Sequence, residues 1–306
     1  MSASPPLFPR FKPLEISDRE FLHPRLWDFQ PRTSELTFTN LFIWRNHYGF
    51  EWSVLDERLV IVAASPESPP RNVWALPPVG AAPRADAARR LLERLGEAHG
   101  PAAARIRRAD RILAEELQPR PEFSISPARD DYDYVYLSRD LIELAGSRYH
   151  GKRNHIAQFT KAHDFTYEPF DAGHVPESLR LTEAWCAFKR CEDDLDLIGE
   201  HEAVQEALSH FTALGVSGGV IRVGGEIKAF TLGELLNART AVIHVEKADP
   251  EIRGLYPVIN REFCRRRWAG TPAVNREQDL GEPGLRKAKL SYHPDHLEEK
   301  FAISLK

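Results

Sequence analysis

The residues able to do chemistry crowd toward the end of this 306-residue sequence. In Thr240–Lys247, Ala241, Ile243 and Val245 alternate with Val242, His244 and Glu246, the period of a two-faced strand. A carboxylate such as Glu246 within a sheet is costly unless a cation pairs with it or a cleft wets it. In a cleft it can hold an ammonium group or move a proton. His244 reads as structural. Val274–Pro294 is the densest polar stretch, with Asn275, Arg276, Glu277 and Asp279 ahead of Arg286, Lys287, Lys289 and Tyr292. The regular interleaving of Leu280, Gly281, Gly284 and Leu285 suits a packed segment better than the competing reading, a charged surface loop. Glu246 and Asp279 are therefore the candidate catalytic carboxylates. Arg276 and Lys289 are candidates for phosphate or oxyanion contact. Asn275 and Tyr292 would orient a substrate by hydrogen bonding, and Glu277, between them, is a further substrate-binding candidate. Replacing Asp279 with Asn is expected to abolish turnover and leave thermal stability almost unchanged.

Three other places bear on this set. Asp249–Gly254 (DPEIRG) leads into a helix, and such a loop presents free N–H groups to an anion, so Arg253 and Gly254 join the substrate-binding candidates. Arg153 falls on the stripe of Ile142, Tyr149, Ile156 and Phe159, in a segment read as one helix from Ser138 to about His163. A guanidinium facing the apolar side must be paired. It either anchors two elements through backbone carbonyls or clamps an anion. Arg148 and Lys152 read as a solvated face. Cys186, Cys191 and Cys264 make no disulfide framework and read as small buried hydrophobes. No metal site is expected, since His150, His155 and His163 lack partners at ligand spacing.

The elements that must position these residues alternate strands and helices in two halves. Trp52–Ala64 reads as a hairpin turning at Asp56–Glu57. Asp86–Gly96 reads as a helix, with Ala85, Ala88, Leu91, Leu92 and Leu95 at helical spacing. Pro-rich places are the N-terminus, Pro66–Pro83 and Pro119–Pro127, the last a seam that predicts domains at 1–128 and 129–306. Later, Gly218–Val223, Ile227–Leu236 and Thr240–Lys247 form a meander with its first turn at Gly224–Gly225. Leu255–Trp268 is a helix, Pro272–Asn275 a strand, Leu285–Leu290 a helical turn, and Lys300–Ser304 closes the chain. The class is α+β, a mixed α/β layer. With 42% hydrophobic and 28% charged residues and a net charge of −4, the chain is an ordinary globular protein and not a polybasic nucleic-acid coat. No apolar run approaches the roughly 20 residues of a membrane span. The opening MSASPPLFPRFKP lacks a secretory core, so a cytoplasmic protein of bacterial type is expected.

Five segments carry a resemblance: FTNLFIWR at Phe38–Arg45, YHGKRNHIAQF at Tyr149–Phe159, GGVIRVGGEIKAFTLGELL at Gly218–Leu236, IHVEKADPEIRGLYPVINREF at Ile243–Phe263 and NREQDLGEPGLRKAKLSYHP at Asn275–Pro294. Together they resemble the family related to the C-terminal catalytic domain of phosphatidylglycerol lysyltransferases. The resemblance implies two tandem GNAT-like domains, each a mostly antiparallel mixed sheet flanked by helices, as in Fem-type aminoacyltransferases. It implies an acyl- or aminoacyltransferase with the donor site in the C-terminal half, and tRNA as a partner, because aminoacyl-tRNA is the donor in such relatives. No resident cofactor is required; aminoacyl-tRNA or acyl-CoA would be a co-substrate. The acceptor, an amine or hydroxyl on a small molecule, peptide or lipid, is not identified. Lipid-modifying relatives carry a large membrane domain, and none is seen in this sequence.

In GNAT enzymes the coenzyme A diphosphate is cradled where this chain reads Glu251-Ile-Arg-Gly254-Leu-Tyr256. Glu251 stands where an anion contact is wanted, and Tyr256 where a small residue is. An aminoacyl ester therefore ranks above acyl-CoA. No nucleophile elbow or Cys–His pair is present, in keeping with direct transfer. A non-catalytic binding protein on the same fold is the third reading.

Overall fold

The computed structural model describes residues 4–64, 73–191 and 194–306. Residues 65–72, all but the first of them in the proline-rich Pro66–Pro83 stretch, lie outside the described residues. The chain forms two compact units, Met1–Asp133 with Glu298–Lys306, and Tyr134–Leu297.

The first unit runs β1 (Lys12–Pro13), α1 (Arg19–Phe29), α2 (Phe38–Ile43), α3 (Arg45–Tyr48), β2 (Phe50–Leu55), β3 (Arg58–Ala64), β4 (Val73–Ala75), α4 (Ala85–His99), β5 (Arg105–Asp110), α5 (Arg111–Leu117) and β6 (Phe123–Pro127). The second runs β7 (Asp133–Leu137), α6 (Ser138–Glu143), α7 (His150–Ala162), β8 (Phe165–Pro169), α8 (Val175–Lys189), α9 (Leu195–Ser209), α10 (Phe211–Leu214), β9 (Ser217–Val223), β10 (Glu226–Asn237), β11 (Thr240–Ala248), α11 (Leu255–Arg267), β12 (Ala273–Asn275), α12 (Pro283–Leu290) and β13 (His296–Glu298). Strand β14 (Lys300–Leu305) ends the chain. The sheets order as β1-β2-β3-β4-β5-β14-β6 and β13-β7-β12-β11-β10-β9-β8.

Local chemistry sets the tight turns. Asp56 and Glu57 (φ 47° and 65°) join β2 to β3, and Gly224 and Gly225 (φ 61° and 86°) join β9 to β10, both with the positive angles a primed hairpin turn needs. The α4 stripe of Ala85, Ala88, Leu91, Leu92 and Leu95 is buried in the first unit's core. The second core packs Tyr134 and Tyr136 of β7 against Leu255, Val258, Ile259 and Phe263 of α11.

Three expectations are corrected. The division between units follows Asp133, and the last strand returns to the first sheet, where it pairs with β5 and β6. Lys300 explains the return: fully buried, its Nζ lies 2.6 Å from both Glu35 and Asp133. A buried ammonium needs such partners. Second, the helix read over Ser138–His163 breaks in the middle. Leu144 (φ 48°) ends α6 in a left-handed conformation, Gly146 (φ 84°) follows, and α7 starts at His150. Third, Cys186 and Cys191 are joined in a disulfide with Cα atoms 5.2 Å apart. Arg190 caps α8 at φ 53° and turns Cys191 back toward Cys186.

Candidate functional site

Of the two neighbouring strands that lead to the site, one stops short of the other. Strands β11 and β12 are parallel and pair only from Thr240↔Ala273 to Val242↔Asn275. Beyond that point β12 has ended, while β11 continues beside β10 to Ala248. Glu246 from β11 and Arg276 after β12 meet across the gap at 2.9 Å.

A β-bulge places Glu246 there. Gly233 pairs with Ile243 and the preceding Leu232 with Val245, so His244 has no opposite residue on β10. One extra residue reverses the faces that follow. Ala241 and Ile243 join the core beneath α11. After the bulge it is Glu246 that reaches α11, accepting a hydrogen bond from Asn260 Nδ2 at 3.0 Å. Lys247 turns the other way, 2.8 Å from Glu200 of α9 and over the Trp185 ring of α8. The expected strict alternation, with Glu246 on the face of His244, is thus corrected.

Around the Glu246–Arg276 pair lie Tyr292, Tyr136 and Lys152. The Arg276 guanidinium stands 4.9 Å from the Tyr292 ring centre and 5.9 Å from that of Tyr136. The Lys152 ammonium lies over the same Tyr292 ring at 3.8 Å. Burial and the neighbouring Arg276 charge bring Lys152 down to about 8, with Glu246 partly opposing them. Burial pushes the nearby Cys264 thiol up to about 12, so it is no nucleophile at neutral pH. The cluster is recessed but not sealed: the Glu246 and Arg276 side chains are 12% and 14% exposed.

The other predicted site residues build the frame. Asp279 is fully buried, accepting hydrogen bonds from Arg286 Nε (2.8 Å) and Nη2 (2.7 Å), Tyr134 Oη (2.5 Å) and the Gly281 N–H (2.9 Å). Burial alone would raise its pKa, but these donors hold it well below the usual carboxylate range. Asn275 is buried and accepts the Glu277 N–H at 2.7 Å, shaping a turn in which Glu277 has φ 56°. Lys289 donates to the carbonyls of Arg276 and Glu277. Glu277 and Glu234 flank His244 at 2.9 and 3.0 Å. Burial disfavours the imidazolium, yet these two carboxylates outweigh it and raise His244 to about 9. Arg153 donates to the carbonyls of Leu144 and Gly146, the anchoring alternative. Arg253 is exposed on the loop before α11. At Gly254 (φ +88°) a Cβ would lie 2.5 Å from the His155 carbonyl oxygen, so this glycine lets α7 pass close to the loop.

The structure therefore brings together Glu246, Arg276 and Tyr292 of the predicted set. Asn275, Glu277 and Lys289 support the Arg276 turn, and Asp279 is locked in its own network. The reading of Lys152 as part of a solvated face is corrected, since its ammonium lies on the Tyr292 ring, and sequence reading missed Asn260 and Tyr136. The two tyrosines of Tyr134–Tyr136, spaced to share one strand face, were the available signal. A cleft of ≈ 480 Å³ lies in the first unit, lined by Phe29, Leu59, Val79, Arg84 and Asp110 among others. Its buried ions neutralise each other, Arg84 bonding both Asp110 oxygens at 2.7 Å. The Glu246–Arg276 pair is the candidate site. Among the described residues no group of His, Cys, Asp and Glu is set to hold a metal, and no helix is long and apolar enough to cross a membrane.

A family model described as phosphatidylglycerol lysyltransferase, C-terminal, matches residues 28–304. A conserved protein of unknown function from Bacteroides thetaiotaomicron VPI-5482 is 34% identical, with a TM-score of 0.88 over 97% of this chain and 99% of that one. The C-terminal domain of a putative lysylphosphatidylglycerol synthetase from Agrobacterium fabrum is 14% identical, with a TM-score of 0.65 over 95% of this chain and 92% of that one. FemX shares the fold at a TM-score of 0.57 and 10% identity, over 97% of each chain. An uncharacterised protein of Mycoplasmoides gallisepticum is 22% identical over 186 residues, 56% of either length, so the match spans about half of that curated relative. The fold is two GNAT-like units in tandem.

Proposed function

The chain belongs to the phosphatidylglycerol lysyltransferase C-terminal family, and from that premise we propose that it transfers an aminoacyl group from aminoacyl-tRNA to an amine or hydroxyl acceptor. Family and fold support an acyl- or aminoacyltransferase-like function. The Glu246–Arg276 pair, where β11 runs on past the end of β12, is the observation that carries the finer reading.

The acceptor lone pair attacks the ester carbonyl, forming the new C–N or C–O bond and a tetrahedral oxyanion. Arg276 supplies positive charge to that oxyanion. A carboxylate has about four lone-pair sites, and Arg276 and Asn260 occupy two of those on Glu246. The remainder can take the nucleophile's proton and return it to the departing ribose oxygen. Tyr292 supplies a ring face beside Arg276. The chain needs no covalent intermediate of its own. Coenzyme A is disfavoured: Glu251 is exposed where its diphosphate would lie, and the Tyr256 hydroxyl is already bonded to Trp185 Nε1 at 2.9 Å.

The test is incubation with mixed charged tRNAs and, separately, mixed acyl-CoA donors, followed by mass spectrometry of donor loss. Transfer from tRNA is expected. Glu246→Gln should lower its rate by about 10²–10³ with the fold retained. Consumption of acyl-CoA alone, or full activity in Glu246→Gln, would overturn the reading.

A further inference from the structure

The charge balance of this site is uneven. Glu246 is matched by Arg276 and further held by Asn260. Asp279 is matched by Arg286 and Glu262 by Arg265, while Glu234 and Glu277 share the single His244. Lys152 stands apart at the Tyr292 ring. Among the described residues its ammonium has neither a carboxylate nor a hydrogen-bond acceptor, only the Tyr292 ring at 3.8 Å. A second cation, Arg276, stands on that same ring at 4.9 Å. Two cations on one ring, with the one carboxylate paired to Arg276, leave a net positive charge at that ring, in a recessed spot where water screens weakly. Lys152 feels the imbalance: burial and Arg276 bring it down to about 8.

We propose that Lys152 and Arg276 form an oxyanion subsite, so that the substrate brings a carboxylate or phosphate to this ring and not a second ammonium. The proposal rests on the transferase reading and names its substrate class. A lysyl side chain, the group in the family's description, would add a third cation here. An acidic side chain on the transferred group, or the phosphate of the donor's terminal nucleotide, would complete Lys152. Either source gives the same chemistry, and the probes separate them.

Calorimetry on the full chain at pH 8 tests this with four probes: glutamic acid α-amide, glutaminamide, lysinamide and adenosine 5′-monophosphate. At least one anionic probe should bind about tenfold or more tighter than glutaminamide, with lysinamide weakest. Because Lys152 is near half-protonated at that pH, anion binding should take up about half a proton, read from buffers of different ionisation enthalpy. Lys152→Met should lose both the preference and the uptake, and Lys152→Arg should keep the preference. Tight glutamic acid α-amide identifies a side-chain carboxylate, and tight adenosine monophosphate a phosphate. Lysinamide binding as well as the anions, an unchanged preference in Lys152→Met, or no binding of any probe at millimolar concentration would each overturn the proposal. Anion binding without transfer from any donor would retire the transferase reading and leave the subsite standing.

Discussion

At the scale of single residues, two charged groups make opposite demands on pH. His244 between Glu234 and Glu277 is raised to about 9. A raised histidine lends stability that is complete below its unfolded value near 6.5 and lost as pH climbs through about 9, at most about 3 kcal/mol. Wild-type unfolding free energy should therefore fall between pH 7 and pH 10, and Glu234 and Glu277 without a cation should leave His244→Gln weaker at pH 6 and flatter across that window. Urea titrations at each pH read both effects. Asp279 behaves in the reverse sense. Held below its ordinary value by Arg286, Tyr134 and Gly281, it stabilises above pH about 4 and loses that contribution in acid. Asp279→Asn should cost about 1.5–3 kcal/mol at neutral pH, because the hydrogen bonds from Arg286, Tyr134 and Gly281 lose their anion. The buried network around Asp279 argues against the sequence-based expectation of unchanged stability. The polar stretch Val274–Pro294 showed that charges would matter there. It could not show that Arg286 would bind Asp279 and leave Arg276 for Glu246, since that choice is made by where α12 begins.

At the scale of elements, local signals were legible and register was not. The α4 stripe and the two hairpin turns follow from spacing and turn residues a few positions apart. The bulge at His244 arises from how β10 pairs with β11, and no residue in Thr240–Lys247 announces it. It nevertheless decides that Glu246 faces α11. Gly254 is another such case: it reads as an anion loop, and it serves a close passage between α7 and the loop before α11. With φ +88° and a Cβ position 2.5 Å from the His155 oxygen, Gly254→Ala should destabilise the second unit by about 2–4 kcal/mol. Hydrogen exchange should show the loss in α7 and α11. A substitution tolerated within about 0.5 kcal/mol would restore the anion-loop reading.

At the scale of the whole molecule, the chain's last strand completes a sheet begun near its start. Lys300 stands between Glu35 and Asp133 with no exposure. Lys300→Met should cost about 3–5 kcal/mol by stranding two buried carboxylates, measured by urea unfolding. Removing Glu298–Lys306 leaves β5 and β6 without the strand between them. The first unit should then lose exchange protection across residues 5–133, while a second unit that keeps its protection would show that it folds on its own.

The amino-acid sequence by itself determined the α+β class, the main helices and turns, and the family through five segments in order. Those features depend on periodicity and on residues close along the chain. Tertiary structure alone decided which carboxylate stays accessible, which cation pairs with it and which stands apart. Glu246, Arg276 and Lys152 come from three separated segments, and their meeting is set by a strand register, a turn and a helix start. Pairing energies between buried charges depend on ångström distances that no one-dimensional pattern contains.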